Sequence, residues 1–149
     1  MDPVSKRHFR TQGRSTCPSL VRYEVAGMEP IRVFVCDDAP AFRDLLRLAL
    51  EQDGALAIVG EADDGAHLED IAAARPDVVL LDVSMPRLGG LEALPRVREL
   101  APAARVVVLS SFAADEMRAA ALGAGADRYL DKRESFARIR EVVRELGGR

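Results

Sequence analysis

The chain is 149 residues long, 48% hydrophobic and 30% charged, which is one domain's worth of sequence with enough apolar material for a core. No apolar run approaches the roughly 18 residues of a membrane-spanning helix. Two cysteines, Cys17 and Cys36, make neither a disulfide framework nor a zinc constellation and favour a reducing, cytoplasmic setting, while a net charge of −3 has the wrong sign for a nucleic-acid binder.

The charge is uneven. Residues 1–27 hold Lys6, Arg7, Arg10, Arg14 and Arg22 against Asp2 and Glu24, a balance of +3; the rest, with 16 basic and 22 acidic residues, carries −6. This first segment is rich in Ser, Thr, Pro, Gly and Arg and has no helical or strand period. No apolar stretch follows its basic residues, as a signal peptide would require. Periodicity begins after Met28, a candidate true start. Residues 1–28 are therefore expected to be a disordered basic extension, and 29–149 the folded domain.

From residue 31 short apolar runs alternate with helical patterns. Ile31–Cys36 reads as a strand, and Pro40 then opens a helix whose Phe42, Leu45, Leu46 and Ala49 recur at helical spacing before Gly54. Ala57–Gly60 is a weaker strand, leading to a short helix near Gly65–Ala74. Asp77–Asp82 is a continuous apolar strand of the kind buried on both faces. Leu91, Leu94 and Val97 mark a third helix, in which Pro95 should cause a kink or a delayed start. Arg105–Ser110 is the fourth strand, Ala113–Leu122 the fourth helix with Met117 and Leu122 as its large anchors, and Asp127–Leu130 the fifth strand. Phe136, Ile139, Val143 and Leu146 stripe the last helix.

Five β–α units imply an α/β fold: a doubly wound, five-stranded parallel sheet with right-handed crossovers and helices on both faces. Ligands bind such sheets beyond the carboxyl ends of the strands, near the topological switch point. The residues there are Asp37 and Asp38 after the first strand, Asp82 after the third, Ser110 after the fourth and Lys132 after the fifth; Glu61, after the second, is set aside. Each alone has an ordinary explanation. A carboxylate before a helix caps its amides, a lysine is solvated, and a tyrosine such as Tyr129 near a strand end is core. Together they do not. Three clustered carboxylates repel unless a cation intervenes, and such hard oxygen ligands suit Mg²⁺, with Mn²⁺ as a substitute. A divalent ion beside a carboxylate, with an ammonium opposite, makes a place for a phosphoryl group, and carboxylate attack on phosphorus gives an aspartyl phosphate.

The segments CDD (36–38), LLDVSMP (80–86), Gly89-Gly90, VVVLSS (106–111) and GADRYLDK (125–132) resemble the receiver domain of bacterial response regulators over about residues 30–146. The resemblance implies the flavodoxin-like three-layer sandwich with strand order 2-1-3-4-5. It implies Asp82 as phosphoacceptor, Asp38 as a direct Mg²⁺ ligand, Asp37 acting largely through water, and the backbone carbonyl of Ser84 completing the protein ligands. Ser110 would contact the phosphoryl group and Lys132 pair with it, while Tyr129 would be the aromatic whose rotamer follows activation. There are two departures. Arg133 stands where receivers commonly carry proline, as among receivers joined to LuxR-type DNA-binding domains, which leaves the geometry of that loop open. Pro95 is the second, and it has no functional account.

The expected function is a two-component phosphorelay switch with a sensor histidine kinase or a histidine phosphotransfer protein as donor. It would assist its own phosphotransfer and dephosphorylation without being an enzyme in the usual sense. The DVSMP segment lacks the second aspartate of haloacid-dehalogenase-like phosphatases, which disfavours that enzyme class. The output protein is unknown, and a phosphorylation-dependent homodimer is expected, with no membrane association and no direct nucleic-acid binding by the receiver. The alternative is the receiver part of a DNA-binding transcriptional regulator lacking its helix-turn-helix output domain.

Overall fold

β-Branched and leucine-rich runs that are apolar along their whole length fold as strands covered on both faces, and the intervening amphipathic segments supply the cover. In the computed structural model, which describes residues 29–64, 68–84, 89–111 and 115–148, the order is β1 (Ile31–Cys36), α1 (Pro40–Leu50), β2 (Leu56–Ala62), α2 (Asp70–Ala74), β3 (Val78–Asp82), α3 (Gly90–Leu100), β4 (Arg105–Ser110), α4 (Asp115–Gly123), β5 (Arg128–Asp131) and α5 (Phe136–Gly147). The sheet is parallel throughout, in the order β2-β1-β3-β4-β5. The basic segment 1–28 lies outside the described residues, as do residues 65–67, 85–88 and 112–114.

The period of two along each strand sorts the core into two layers. Val33, Val35, Val78, Leu80, Val107, Leu109 and Leu130 face α1 and α5, meeting Leu46, Leu50, Ile139, Val142 and Val143. Phe34, Val79, Leu81, Val106, Val108 and Tyr129 face the other way, meeting Ile71, Leu94, Val97 and Ala121. Cys36 belongs to this second layer, and burial pushes its thiol pKa upward, with the neighbouring Asp37 charge adding to the effect.

Several boundaries differ from the sequence reading for identifiable reasons. Asp77 and Asp127 do not begin strands; each stands before one and accepts a backbone N–H from the neighbouring strand, Arg32 N to Asp77 Oδ2 at 2.9 Å and Val106 N to Asp127 Oδ2 at 2.8 Å. Pro95 neither delays nor ends α3, which runs from Gly90 to Leu100. Proline deprives only the Leu91 carbonyl of its partner, and Pro95 itself is on the exposed side, so the cost falls where water is available. Leu122 is not an anchor of α4. Met117 and Ala121, one turn apart, turn inward, whereas Leu122 is rotated off that face and is 45% exposed.

Candidate functional site

The strand registers bring the candidate residues to one edge. Cys36 pairs with Leu81, so Asp37 is level with Asp82; Asp82 pairs with Leu109 and Ser110 with Asp131, so Ser110 and Lys132 lie one step beyond. The chain runs from β1 outward to β2 and returns to β3 on the other side of β1, so Asp37 and Asp82 flank the crevice where the strand order reverses.

Asp37 and Asp82 are each 1% exposed, while Asp38 is exposed at the rim. One oxygen from each of the three lies within 4.8 Å of the others. Lys132 reaches in from the end of β5, its Nζ 2.6 Å from Asp37 Oδ2 and 3.2 Å from Asp82 Oδ2. Neither of these buried oxygens receives a hydrogen bond of regular geometry. Asp82 Oδ1 is better served, accepting from Ser84 N at 3.1 Å and Ser84 Oγ at 2.9 Å. The helix-cap explanation fails for the first two carboxylates: Ala39 is the N-cap of α1, and no side chain caps it. Asp37 Oδ1 accepts only from Ala39 N, at 2.8 Å, within its own turn.

The electrostatics follow. Burial raises the Asp37 pKa and the Asp82 charge raises it further, against the opposing pull of Lys132 and the Ala39 N–H. Burial alone would lower the Lys132 pKa, but the close ion pairs with Asp37 and Asp82 outweigh it and hold the ammonium above its ordinary value. One ammonium therefore serves the two buried carboxylates, with the third, Asp38, beside them at the rim. Two buried oxygens without regular donors, on a hard-oxygen donor set beside a third carboxylate, fit a divalent cation such as Mg²⁺.

Ser110 ends β4 fully buried, and its carbonyl accepts the Lys132 N–H at 2.8 Å. Tyr129 pairs with Val108 and shares the α4-side layer with it, its ring beneath the Arg118 guanidinium at 5.4 Å. Ser84 is exposed beyond Asp82. Three supporting residues escape the sequence reading. Phe42, read there as core stripe, places its ring 4.6 Å from Lys132 Nζ and 5.8 Å from the Phe136 ring. Arg43 donates to the Asp37 carbonyl and extends toward Glu61 at 3.7 Å, which Arg47 also pairs at 3.0 Å. Glu61 is thus held by α1. Nothing in helical spacing marks such contacts, because they join elements distant in the chain.

A doubly wound parallel sheet with an acidic pocket and a lysine at its switch point defines a class of α/β signalling domain. The chain belongs to the response regulator receiver domain family, whose profile matches residues 33–144. It is 43% identical over 123 residues to a protein-glutamate methylesterase/protein-glutamine glutaminase of Myxococcus xanthus, covering 81% of this chain and 35% of that protein. It is 42% identical over 120 residues to the response regulator MprA of Mycolicibacterium vanbaalenii, covering 77% and 51% respectively. The chain thus spans about a third to a half of the length of the curated relatives it matches. Among solved structures, the signal receiver domain of NarL from Mycobacterium tuberculosis superposes with a TM-score of 0.75 at 39% identity, over 82% of this chain and all of that one. A LuxR-family response regulator from Aurantimonas gives 0.73 at 29%, over 80% of this chain and 87% of that one. No described helix is long and apolar enough to cross a membrane.

Proposed function

We propose that Asp82 accepts a phosphoryl group from a phosphohistidine of a sensor kinase or phosphotransfer protein in a Mg²⁺-dependent reaction, and that the change switches a protein-interaction face. The observation that carries this is the Lys132 ammonium shared between two buried carboxylates, 2.6 Å from Asp37 and 3.2 Å from Asp82. An Asp82 oxygen forms the new O–P bond as the donor's N–P bond breaks, and the imidazole, protonated on its other ring nitrogen, leaves as the neutral ring. Lys132 balances charge on the arriving oxygens, and the buried Ser110 hydroxyl supplies a hydrogen bond to one of them. Asp37, Asp38, Asp82 and the Ser84 carbonyl would hold the metal. Bound there, Mg²⁺ neutralises phosphoryl charge and orients the group for in-line transfer. Later attack by water on the same phosphorus returns Asp82 to its starting state.

The output reading rests on sheet geometry. Ser110 and Tyr129 share the α4-side face of adjacent strands, Ser110 two residues beyond Tyr129's partner Val108, which puts them within diagonal reach. Drawing Ser110 toward the phosphoryl group changes the packing beside Tyr129 and hence the face of α4, β5 and α5. The direct test is intact mass after incubation with acetyl phosphate and Mg²⁺. One phosphoryl per chain is expected for the wild type and none for Asp82→Asn or with EDTA. A wild type that gains nothing, or an Asp82→Asn variant that gains as much, defeats the reading.

A second reading, in which the output is DNA binding through a further domain, is favoured by the extra length of the curated relatives and by the LuxR-family neighbour. An open reading frame continuing past Arg149 into a helix-turn-helix would support it, and an in-frame stop would count against it.

A further inference from the structure

The loop that carries Lys132 is closed by a side-chain clamp that no part of the proposed chemistry uses. Asp131, Lys132, Arg133 and Glu134 form a turn in which Glu134 N donates to the Asp131 carbonyl at 3.0 Å. Inside it, Asp131 Oδ1 accepts the Arg133 backbone N–H at 2.8 Å, an aspartate turn that fixes the backbone on both sides of residue 132. The Arg133 side chain then folds back onto the same carboxylate: Nε lies 3.0 Å from Oδ1 and 3.1 Å from Oδ2, and a terminal nitrogen lies 2.6 Å from Oδ2. The turn continues directly into Ser135, whose hydroxyl caps α5 by accepting Arg138 N at 3.2 Å.

The two central side chains of this turn diverge. Lys132 is 13% exposed and enters the carboxylate pocket, whereas Arg133 is 71% exposed and lies outside it. Exposed ion pairs of this kind add little to global stability. This one is placed so that its effect is local, since it brackets the lysine whose direction the site depends on. Arg133 stands where receivers commonly carry proline, and side-chain bonds here do the stiffening that a ring does by covalent constraint.

We propose that Asp131 is a positioning residue for Lys132, acting through its turn with Arg133 to hold the ammonium against Asp37 and Asp82. The inference rests on Lys132 belonging to the proposed phosphoacceptor site, but its test does not require phosphorylation. The chain has only two lysines, Lys6 and Lys132. Amine acetylation read by peptide mass spectrometry therefore reports Lys132 directly, with Lys6 as internal standard.

In the wild type Lys132 is expected to react more slowly than Lys6. Asp131→Ala should raise the Lys132 to Lys6 ratio about tenfold, the factor that losing a charge-assisted hydrogen bond gives. Asp131→Asn retains an acceptor for the Arg133 N–H and should restore most of the protection. Arg133→Ala, which leaves the turn but removes the guanidinium, should raise the ratio by a smaller factor and carries the test if Asp131→Ala fails to fold. The rate of phosphoryl gain from acetyl phosphate should fall in parallel. An unchanged ratio in both alanine variants overturns the proposal, as does an asparagine variant that labels as fast as alanine. A wild type that takes no phosphoryl group defeats the proposed function instead, and the labelling ratios still decide the clamp.

Discussion

Asp37 sits at the end of β1 with two other carboxylates and one ammonium for company, almost wholly out of water. Its raised pKa means that the folded protein binds this proton more tightly than the unfolded chain. The cost of ionising Asp37 in the fold therefore appears as pH rises past the ordinary carboxylate value of 3.8 and is complete above the raised folded value. Asp37→Asn removes that cost. In Mg²⁺-free buffer at pH 7 the variant should be more stable than wild type, because Asn carries no charge to bury there. The difference should shrink toward pH 4 and also in saturating Mg²⁺, where cation binding favours only the wild-type fold. Urea unfolding at the two pH values, with and without Mg²⁺, checks all three expectations; a variant less stable at pH 7 without the metal would refute the assignment of strain to this residue.

At the level of elements, α3 and β5 are fixed by contacts beside the site as much as by their own periodicity. Gly90 opens α3 against the backbone of Asp82, and a Cβ there would lie 2.8 Å from the Asp82 carbonyl carbon and the Val83 Cα. No flexible side chain can yield. Gly90→Ala should cost about 1–3 kcal/mol of stability and slow phosphoryl gain at Asp82 together, measurable as denaturation midpoint and rate on the same preparation. Asp127, before β5, accepts from Val106 N and from Arg98 at 2.8 Å each. Burial alone would raise its pKa, but these partners outweigh burial and hold it below the ordinary value. Its contribution is thus present above pH 3.8 and is lost as pH falls through the lower folded value. Asp127→Ala should cost about 2 kcal/mol at pH 7 and progressively less as acid protonates the wild-type carboxylate. What was legible in the sequence divides along the same line. Apolar runs and strand-end residues located the sheet and the converging Asp37, Asp38, Asp82, Ser110 and Lys132, because strand parity and chain order determine them, whereas the strand order came only with the resemblance to receiver domains. The outward turn of Leu122, the pre-strand duty of Asp77 and Asp127, and the Phe42 ring over Lys132 were not legible, since each depends on which neighbour the finished fold supplies.

For the whole molecule, the two core layers are unequally clamped. The α1–α5 side is tied by Phe42 to Phe136 and by Asp53, which both Arg140 and Arg144 engage. On the other side α4 buries one residue, Ala121, with Met117 partly covered. Change propagated from Ser110 should therefore be expressed through α4, the element with least to lose. Amide exchange in α4 should be faster than in α5 and should change when beryllofluoride and Mg²⁺ are added; protection equal to α5 in both states would exclude α4 as the mobile part. The face this would present is chiefly charged, with Arg118 and Arg128 among arginines and glutamates of α5, and Leu122 its exposed large apolar residue. A homodimer formed there has little apolar core to draw on, so it should be of micromolar order at tightest and weakened by salt. Sedimentation velocity should find a monomer without beryllofluoride and a monomer–dimer mixture with it, shifted back to monomer by Leu122→Asp or by raised ionic strength. A species that stays monomeric at high concentration in both states would leave the switched face for a different protein, and one that dimerises equally in both would uncouple dimerisation from the site.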